Sequence, residues 1–343
     1  MKTIRWILLP LALIYGVITF LRNKFYDWNI LKSYSIPGKS IGVGNLSVGG
    51  TGKSPHVDYL IQHLLAQNMK ITTLSRGYGR TSKGVFLASE ISSPSEIGDE
   101  PTQYKTRYGS NIEVVVSEKR QEGVSLIEER FPDNDVLLLD DAFQHRAVTV
   151  GMNILITPFN DLFTKDFMLP TGNLREWASG KNRADCIVVS KTPHDISYDE
   201  KKAILQSLRF DDKPIFFSTI EYDDVISINR NQVNRIEEVL IVTGIGNPAP
   251  LISHWQKKAT VEHIAFPDHH NFTTKDIATI HEKFGIFASR NKVIITTEKD
   301  FMRLRSFSEV LEGQFAWYYQ PITIKIDDQL TFNKLIDEYV TEI

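Results

Sequence analysis

Residues Ser47 to Ser54 read SVGGTGKS, directly after a short apolar run at 40–44 that predicts a strand. A glycine-rich turn between a strand and a helix is suited to holding phosphate. Gly49, Gly50 and Gly52 let successive backbone N–H groups turn inward around phosphate oxygens, with Thr51 among them. The following helix points its positive end at the anion. Pro55 suits an early position of that helix, and Val57, Leu60, Ile61, Leu64 and Leu65 recur at helical spacing. Lys53 is placed to reach the terminal phosphates of a nucleoside triphosphate, and the Ser54 hydroxyl to hold Mg²⁺. Ser47 stands where the G-x-x-x-x-G-K-S pattern has its first glycine, so the reading rests on the strand–loop–helix context.

Working outward, 70–75 reads as a second strand, ending in the turn Arg76-Gly77-Tyr78-Gly79-Arg80. A short apolar piece at 85–88 precedes a loop-like stretch at 92–101, where Asp99 lies in the polar turn GDEP. Residues 112–117 form a strand pattern followed by Glu118-Lys119-Arg120 and a helix pattern. The run DVLLLDD at 135–141 ends a buried strand in Asp140 and Asp141, the expected acidic partner of a phosphate loop, holding Mg²⁺ directly or through water. Gln144 and His145 follow within reach of the same place. With further strands at 153–157 and 186–190, the alternation predicts an α/β fold: a parallel sheet with helices on both faces, and ligands at the carboxyl ends of its strands. A guanine-reading chain would carry Asn-Lys-x-Asp after a late strand; Ser190-Lys191-Thr192-Pro193 keeps the lysine and lacks the aspartate, which favours adenine.

The pattern changes at 214–231, where two β-prone pieces, 215–220 and 225–228, suggest a two-stranded linker. A second, smaller α/β alternation begins at 238. Its Gly244 and Gly246 lack the third glycine of a dinucleotide fingerprint and read as tight-turn residues. The expected organisation is an N-terminal helix over 1–25, a phosphate-loop domain over 26–213, a linker over 214–231 and a second domain over 232–343.

The chain has 343 residues, 42% of them hydrophobic and 24% charged, which are values of a globular protein. A net charge of −3 offers no general attraction for nucleic acid, and no obligate protein partner is evident. Cys186 is the single cysteine, which excludes an intrachain disulfide and a thiolate metal cluster. Residues Trp6 to Leu21 form an uncharged run of 16, flanked by Lys2 and Arg5 before it and Arg22 and Lys24 after it. As a helix that run is roughly 24 Å long, short of a bilayer core of ~30 Å. A helix partly sunk in the membrane surface is the preferred reading; a signal segment, a single span and a helix buried within the protein are the alternatives.

Several segments occur together and in order: VGNLSVGGTGKSP, SRGYGR, GDEP, the DD-x-x-QH of Asp140–His145, LPTGNLRE, the Asp268-His269 pair and TTEKD at 296–300. In these, from about residue 40 to 300, the chain resembles the tetraacyldisaccharide 4′-kinase family, the lipid A pathway kinases of Gram-negative bacteria. Ser47 is normal for that family, and Ser54 keeps the hydroxyl where threonine is commoner. The resemblance implies transfer of the γ-phosphoryl group of ATP, with Mg²⁺, to the 4′-hydroxyl of a tetraacylated glucosamine disaccharide 1-phosphate. It implies work at the cytoplasmic face of the inner membrane, with the N-terminal helix seating the protein there. It also implies two α/β/α domains joined by a two-stranded linker, with the active site in the cleft.

By the same resemblance Lys53 and Ser54 bind phosphates and Mg²⁺, with Asp141, Gln144 and Glu176 around the metal. Asp99 matches the catalytic base and His269 its partner from the second domain. A carboxylate is a weak base for a sugar hydroxyl, so orientation and the adjacent imidazole matter more than basicity. Lys53 and Arg175 would neutralise charge during transfer. For Arg76, Tyr78, Arg80 and Arg120 two readings stay open: binding of the lipid headgroup's phosphate or sugar, or capping of turns. The rival function is a membrane-associated P-loop ATPase or GTPase switch, which would release phosphate to water and have no need of Asp99.

Overall fold

The computed structural model describes residues 5–210 and 213–342; the cationic flank residue Lys2 and residues 211–212 of the expected first domain lie outside them. Among the described residues the strands form a nine-stranded sheet, a five-stranded sheet and a two-stranded pair. From edge to edge the large sheet runs Ile322–Ile326, Ile215–Tyr222, Cys186–Ser190, Met152–Pro158, Lys39–Asn45, Val136–Asp140, Ile71–Ser75, Ile112–Val116 and Phe86–Leu87. Its inner pairings are parallel and its two edge strands pair antiparallel.

Val136–Asp140 is buried along its whole length, as a strand covered on both faces must be. Its side chains alternate. Leu138 packs under the helix Lys53–Leu65 with Val57, Leu60, Ile61 and Leu64, while Leu137 and Leu139 face the opposite layer with Leu74, Val115 and Val124. Because the inner strands are parallel, Asn45, Ser75, Asp140 and Ser190 all end on one edge, and the polar segments that follow them gather there. The small sheet runs Ile226–Ser227, Trp317–Gln320, Lys292–Thr297, Glu238–Thr243 and Thr260–Ala265, parallel except at its first pairing.

Strand pairing between the two units departs from the expected linker. The pieces at 215–220 and 225–228 do not pair with each other. Ile215–Tyr222 lies between Cys186–Ser190 and Ile322–Ile326, and Ile226–Ser227 joins Trp317–Gln320 in the small sheet. The antiparallel pair is Ser218 to Tyr222 with Ile322–Ile326, a partner too distant in sequence for local patterning to reveal. The chain then returns to the large unit: helix Gln329–Thr341 buries Phe332, Ile336 and Val340 in the core under the large sheet. Residues 322–341, expected in the second domain, thus pack with the first.

The N-terminal helix also extends further than its uncharged run. A 3₁₀ turn at Trp6–Leu8 leads into Leu9–Asp27, giving 22 residues and a length of roughly 33 Å, not 24 Å. It continues through the polar flank because that flank has partners: Asn23 Nδ2 donates to Glu176 Oε2 at 2.8 Å, and Arg146 Nη1 pairs with Asp27 at 2.8 Å. Ala12 and Gly16 are its only buried residues, while Ile7, Leu11, Leu13, Ile14, Val17 and Ile18 are more than half exposed. A helix inside the core would show the reverse. Gly16 is where it docks: a Cβ there would lie 2.6 Å from the Trp177 ring, whose Nε1 donates to Gly16 O at 2.8 Å.

The stretch at 92–101 is helical rather than loop-like. Pro94–Ile97 forms one turn under a Ser93–Glu96 capping box, and Asp99 opens the helix Asp99–Tyr108. Gly98 makes the corner at φ +94°, and a Cβ there would lie 2.9 Å from Tyr78 O, so the helix start sits against the Arg76–Arg80 turn.

Candidate active site at the mouth of the phosphate loop

The loop is held open by its surroundings. Gly49 and Gly52 both take positive φ. Asn45 Nδ2 donates to Ser47 O at 2.7 Å and Thr51 Oγ1 at 2.8 Å, Ser190 Oγ donates to Thr51 O at 2.6 Å, and Lys191 Nζ donates to Gly50 O. His56 bridges Gly52 O at 2.6 Å and Ser218 Oγ at 2.8 Å, so the loop is tied to the strand that leads toward the second unit. Lys53 Nζ lies 3.4 Å from Asn45 Oδ1 and 3.6 Å from Asp141 Oδ1.

The two aspartates face different surroundings. Asp141 takes a left-handed backbone, φ +54°, and turns its carboxylate to Lys53 and to both Nη atoms of Arg175, at 2.9 and 3.2 Å. Burial alone would raise it, but Lys53 and Arg175 hold it down at about 2. Asp140 is buried and accepts from Tyr104 Oη at 3.0 Å. Burial pushes it up to about 6; Lys53 offsets part of this, and the charges of Glu100 and Asp141 add to it. Among the described residues, no cation pairs directly with Asp140.

Glu176 is buried and neutralised. Arg183 Nη2 donates to both of its oxygens at 2.8 and 2.9 Å, and Asn23 and Gln144 complete its partners. Gln144 Nε2 also donates to Asn45 O at 2.7 Å, while its Oε1 is buried without a partner. Magnesium takes one or two carboxylates plus phosphate oxygens and waters. The donors fit that chemistry: a carboxylate at Asp140 without a direct cationic partner, an orphaned amide oxygen at Gln144 and the Ser54 hydroxyl, with the Ser54 backbone C=O 3.4 Å from Tyr104 Oη. No group of three His, Cys, Asp or Glu side chains among the described residues is arranged for a metal, as a phosphate-assisted site requires none.

A basic group borders this mouth. Arg120 is buried on the helix that follows Ser117, with Nη1 donating to Ser117 O and its Nε and Nη2 unpartnered. Burial lowers it to about 10, against the pull of Asp141 and Asp140. Arg80 pairs with Glu118 at 2.6 Å and donates to Gly84 O, yet its Nε and Nη1 are also orphaned. Arg76 and Tyr78 are exposed beside them. His145 is lowered to about 4, first by burial and then by Arg120 and Arg76.

Asp99 and His269 meet across the two units. Asp99 Oδ2 accepts from His269 Nδ1 at 2.8 Å. Arg303, on the helix Glu298–Leu304 that begins within TTEKD, donates Nε to Asp99 Oδ1 at 2.9 Å and Nη2 to Oδ2. Burial would raise Asp99, but Arg303 and then Lys299 bring it below the usual carboxylate value. His269 sits at φ +59° with its N–H on Gly244 O at 3.0 Å, and its Nε2 faces Lys299 Nζ at 3.3 Å. The Gly244 N–H in turn donates to Asp300 Oδ2 at 3.0 Å, so this glycine serves a turn that presents His269. The same helix and the residue after it dock beyond the pair: Glu298 meets Arg107 Nη2, whose Nη1 holds Asp58 of the first unit at 2.5 Å, Lys299 meets Glu100 at 2.8 Å, and Arg305 reaches Thr106 Oγ1 at 2.6 Å.

Sequence reasoning singled out neither Asn45, Tyr104, Arg107, Arg183 nor Arg303. Tyr104 and Arg107 lie one and two turns after Asp99 once that segment is known to be helical, and Arg303 lies one turn after Asp300. The signal is the helix start at Gly98, whose residues also suit a turn.

The sequence profile of the family described as tetraacyldisaccharide-1-P 4'-kinase matches residues 4–341. A tetraacyldisaccharide 4'-kinase of Flavobacterium psychrophilum is 43% identical over 348 residues, 99% of this chain and 98% of that protein. One from Bacteroides fragilis is 39% identical over 357 residues, 99% of this chain and 94% of that protein. The solved structure of LpxK from Aquifex aeolicus in complex with ATP superposes with a TM-score of 0.75 at 29% identity, covering 98% of this chain and 99% of that one. With its profile matched across nearly the whole length, and a fold shared with a solved relative over nearly all of both chains, the chain belongs to the tetraacyldisaccharide-1-P 4'-kinase family.

Proposed function

We propose that this kinase transfers the γ-phosphoryl group of ATP to the 4′-hydroxyl of a tetraacylated disaccharide 1-phosphate, in the cleft between the phosphate loop and the Asp99–His269 pair. The observation that carries the reading is that pair: a hydrogen bond between an aspartate of one unit and a histidine of the other, beside a complete phosphate loop. A hydrolytic switch has no acceptor hydroxyl to deprotonate and no use for it.

The geometry favours dividing the pair's work the other way from the family resemblance. Both oxygens of Asp99 are already occupied, by Arg303 and by His269 Nδ1. An ionised carboxylate only accepts, so Nδ1 carries its hydrogen and Nε2 keeps a lone pair. His269 Nε2, which Lys299 Nζ faces at 3.3 Å and must yield to the acceptor, is then the group that takes the proton of the 4′-hydroxyl, and Asp99 orients it. The O–H bond breaks as the hydroxyl oxygen bonds to the γ-phosphorus, and the phosphorus–oxygen bond to the leaving ADP breaks with its electron pair.

Lys53 lies on the phosphate side, and the backbone N–H groups of the loop cradle the phosphates. Arg175 anchors Asp141 and adds positive charge beside Lys53. Ser54, Asp140 and Gln144 would hold Mg²⁺, with Asp141 and Glu176 fixing their surroundings through Arg175, Arg183 and Gln144. Magnesium, when bound, neutralises charge on the phosphate oxygens. Arg76, Arg80 and Arg120 would receive an anionic headgroup, with Tyr78 at the rim. The exposed apolar helix with cationic flanks supports a place at the cytoplasmic face of the inner membrane, where a four-chain lipid stays in the bilayer.

Chemical rescue tests the division of roles. His269→Ala assayed for lipid phosphorylation should recover activity with added imidazole, while formate should fail to restore Asp99→Ala to a comparable rate. Recovery of Asp99→Ala by formate, with none of His269→Ala by imidazole, would return the proton to the carboxylate.

A further inference from the structure

Arg303 is buried, and its guanidinium reaches Asp99 by both oxygens, His270 O at 3.3 Å and Asp300 Oδ1 at 3.5 Å, while Nη2 also lies 3.2 Å from His269 Nδ1. It lies on the second unit, while Asp99 lies on the first. Among the described residues, the side-chain hydrogen bonds that Asp99 accepts therefore come from the opposite unit, from Arg303 and His269. A planar guanidinium taking both carboxylate oxygens fixes the rotation of the carboxylate as well as its position. That rotation sets where Oδ2 points, and Oδ2 is the atom that His269 Nδ1 reaches.

We propose that Arg303 is a positioning residue for phosphoryl transfer, locking Asp99 so that His269 keeps its hydrogen on Nδ1 and presents Nε2 to the acceptor hydroxyl. The proposal rests on the kinase reading above and extends it to a residue that acts through Asp99. The groups facing His269 are few. Arg303 Nη2 itself lies 3.2 Å from Nδ1, Lys299 approaches Nε2 at 3.3 Å and is paired with Glu100, Asp268 lies 3.9 Å away, and the Tyr78 ring meets the imidazole edge-on at 5.4 Å between centroids. His270 is turned away to Asp276. With Arg303 removed, Asp99 has His269 as its remaining direct cationic partner. The imidazolium gains, and the free base becomes scarcer on the acid side.

Steady-state transfer to tetraacyldisaccharide 1-phosphate in detergent micelles, measured against pH for the full chain, tests this with Arg303→Met and Arg303→Lys. Arg303→Met should lose kcat by about 100-fold with KM for ATP nearly unchanged, and the acid limb of kcat/KM should move to higher pH. Arg303→Lys keeps a charge without the fork and should lie between, losing about tenfold. Fluorescent-nucleotide binding reports whether each variant is folded. A loss confined to KM, or a fall in kcat with the acid limb unmoved, would overturn the positioning role. Should Arg303→Met fail to bind nucleotide, Arg303→Lys decides alone: a wild-type kcat and pH profile would sink the proposal. Failure of the wild type to phosphorylate lipid would instead strike the kinase reading itself.

Discussion

Tyr104 donates its hydroxyl hydrogen to Asp140 Oδ2 over 3.0 Å, and the helix that carries Tyr104 begins at Asp99. One ten-residue helix thus joins the two ends of the candidate site, the end at Asp140 and the phosphate loop and the end at the Asp99–His269 pair. The same hydroxyl lies 3.4 Å from Ser54 O at the start of the loop helix. Tyr104→Phe should cost about 1.5–3 kcal/mol in stability, the worth of a buried hydrogen bond to a charged group. It should also lower kcat more than it raises KM for ATP. Thermal unfolding and steady-state transfer measured on one preparation check both; an unchanged kcat would mean that the helix carries no information between the two ends.

The units are further joined by a buried ion triad, with Arg107 between Asp58 and Glu298. Burial raises both carboxylates despite the arginine. A carboxylate raised on folding stabilises the protein at low pH and loses that contribution as pH rises past its unfolded value of ~4. Arg107→Met leaves two buried carboxylates without their cation, so it should cost about 3–5 kcal/mol at neutral pH and much less near pH 5, where they can take protons. Denaturant unfolding at the two pH values measures the difference; an equal loss at both would contradict the account.

His56 offers a second pH-dependent term. It is buried between Gly52 O and Ser218, and burial lowers it from 6.5 to about 4. The sign follows from its lowered value. Above pH 6.5 neither state binds the proton, while below it the unfolded chain takes up a proton that the folded chain refuses. Stability should therefore fall between about pH 6.5 and 4 by up to roughly 3 kcal/mol. His56→Gln should flatten that part of the curve in nucleotide-free protein. A slope identical to wild type would show that the imidazole is protonated in place.

The N-terminal helix contacts the residues around the site through Tyr15, Gly16 and Asn23. Tyr15 Oη donates to Arg175 O at 3.0 Å, Trp177 donates to Gly16 O, and Asn23 donates to Glu176. Deleting residues 1–21 should weaken use of lipid in vesicles far more than nucleotide binding. Asn23→Ala should leave membrane binding intact while lowering transfer, because Glu176 loses a partner. Vesicle co-sedimentation beside transfer rates separates the two; equal loss of nucleotide and lipid binding on deletion would mean the helix is structural.

Much of this was legible in the chain. SVGGTGKS and DVLLLDD carry their chemistry in local order, so the loop, its helix and the paired aspartates fall where they were expected. What local order cannot carry is pairing over long distance. Ile215–Tyr222 finds its partner at Ile322–Ile326, and residues 329–341 return to the first unit's core. Asp99 was read as a turn residue because proline at 101 and glycine at 98 resemble turn chemistry, although both are equally at home at a helix start. That one reading hid Tyr104 and Arg107. Arg303 was hidden differently, since an arginine on a short helix has no signature until its aspartate is found on the opposite unit.

The most direct test of the central claim is transfer of labelled γ-phosphate from ATP to tetraacyldisaccharide 1-phosphate in detergent, wild type beside His269→Ala. The account predicts label in the lipid at the 4′ position for the wild type. It also predicts a loss of about 100-fold or more in the variant, with nucleotide binding preserved. Label released only as free phosphate, equally by both proteins, would contradict it.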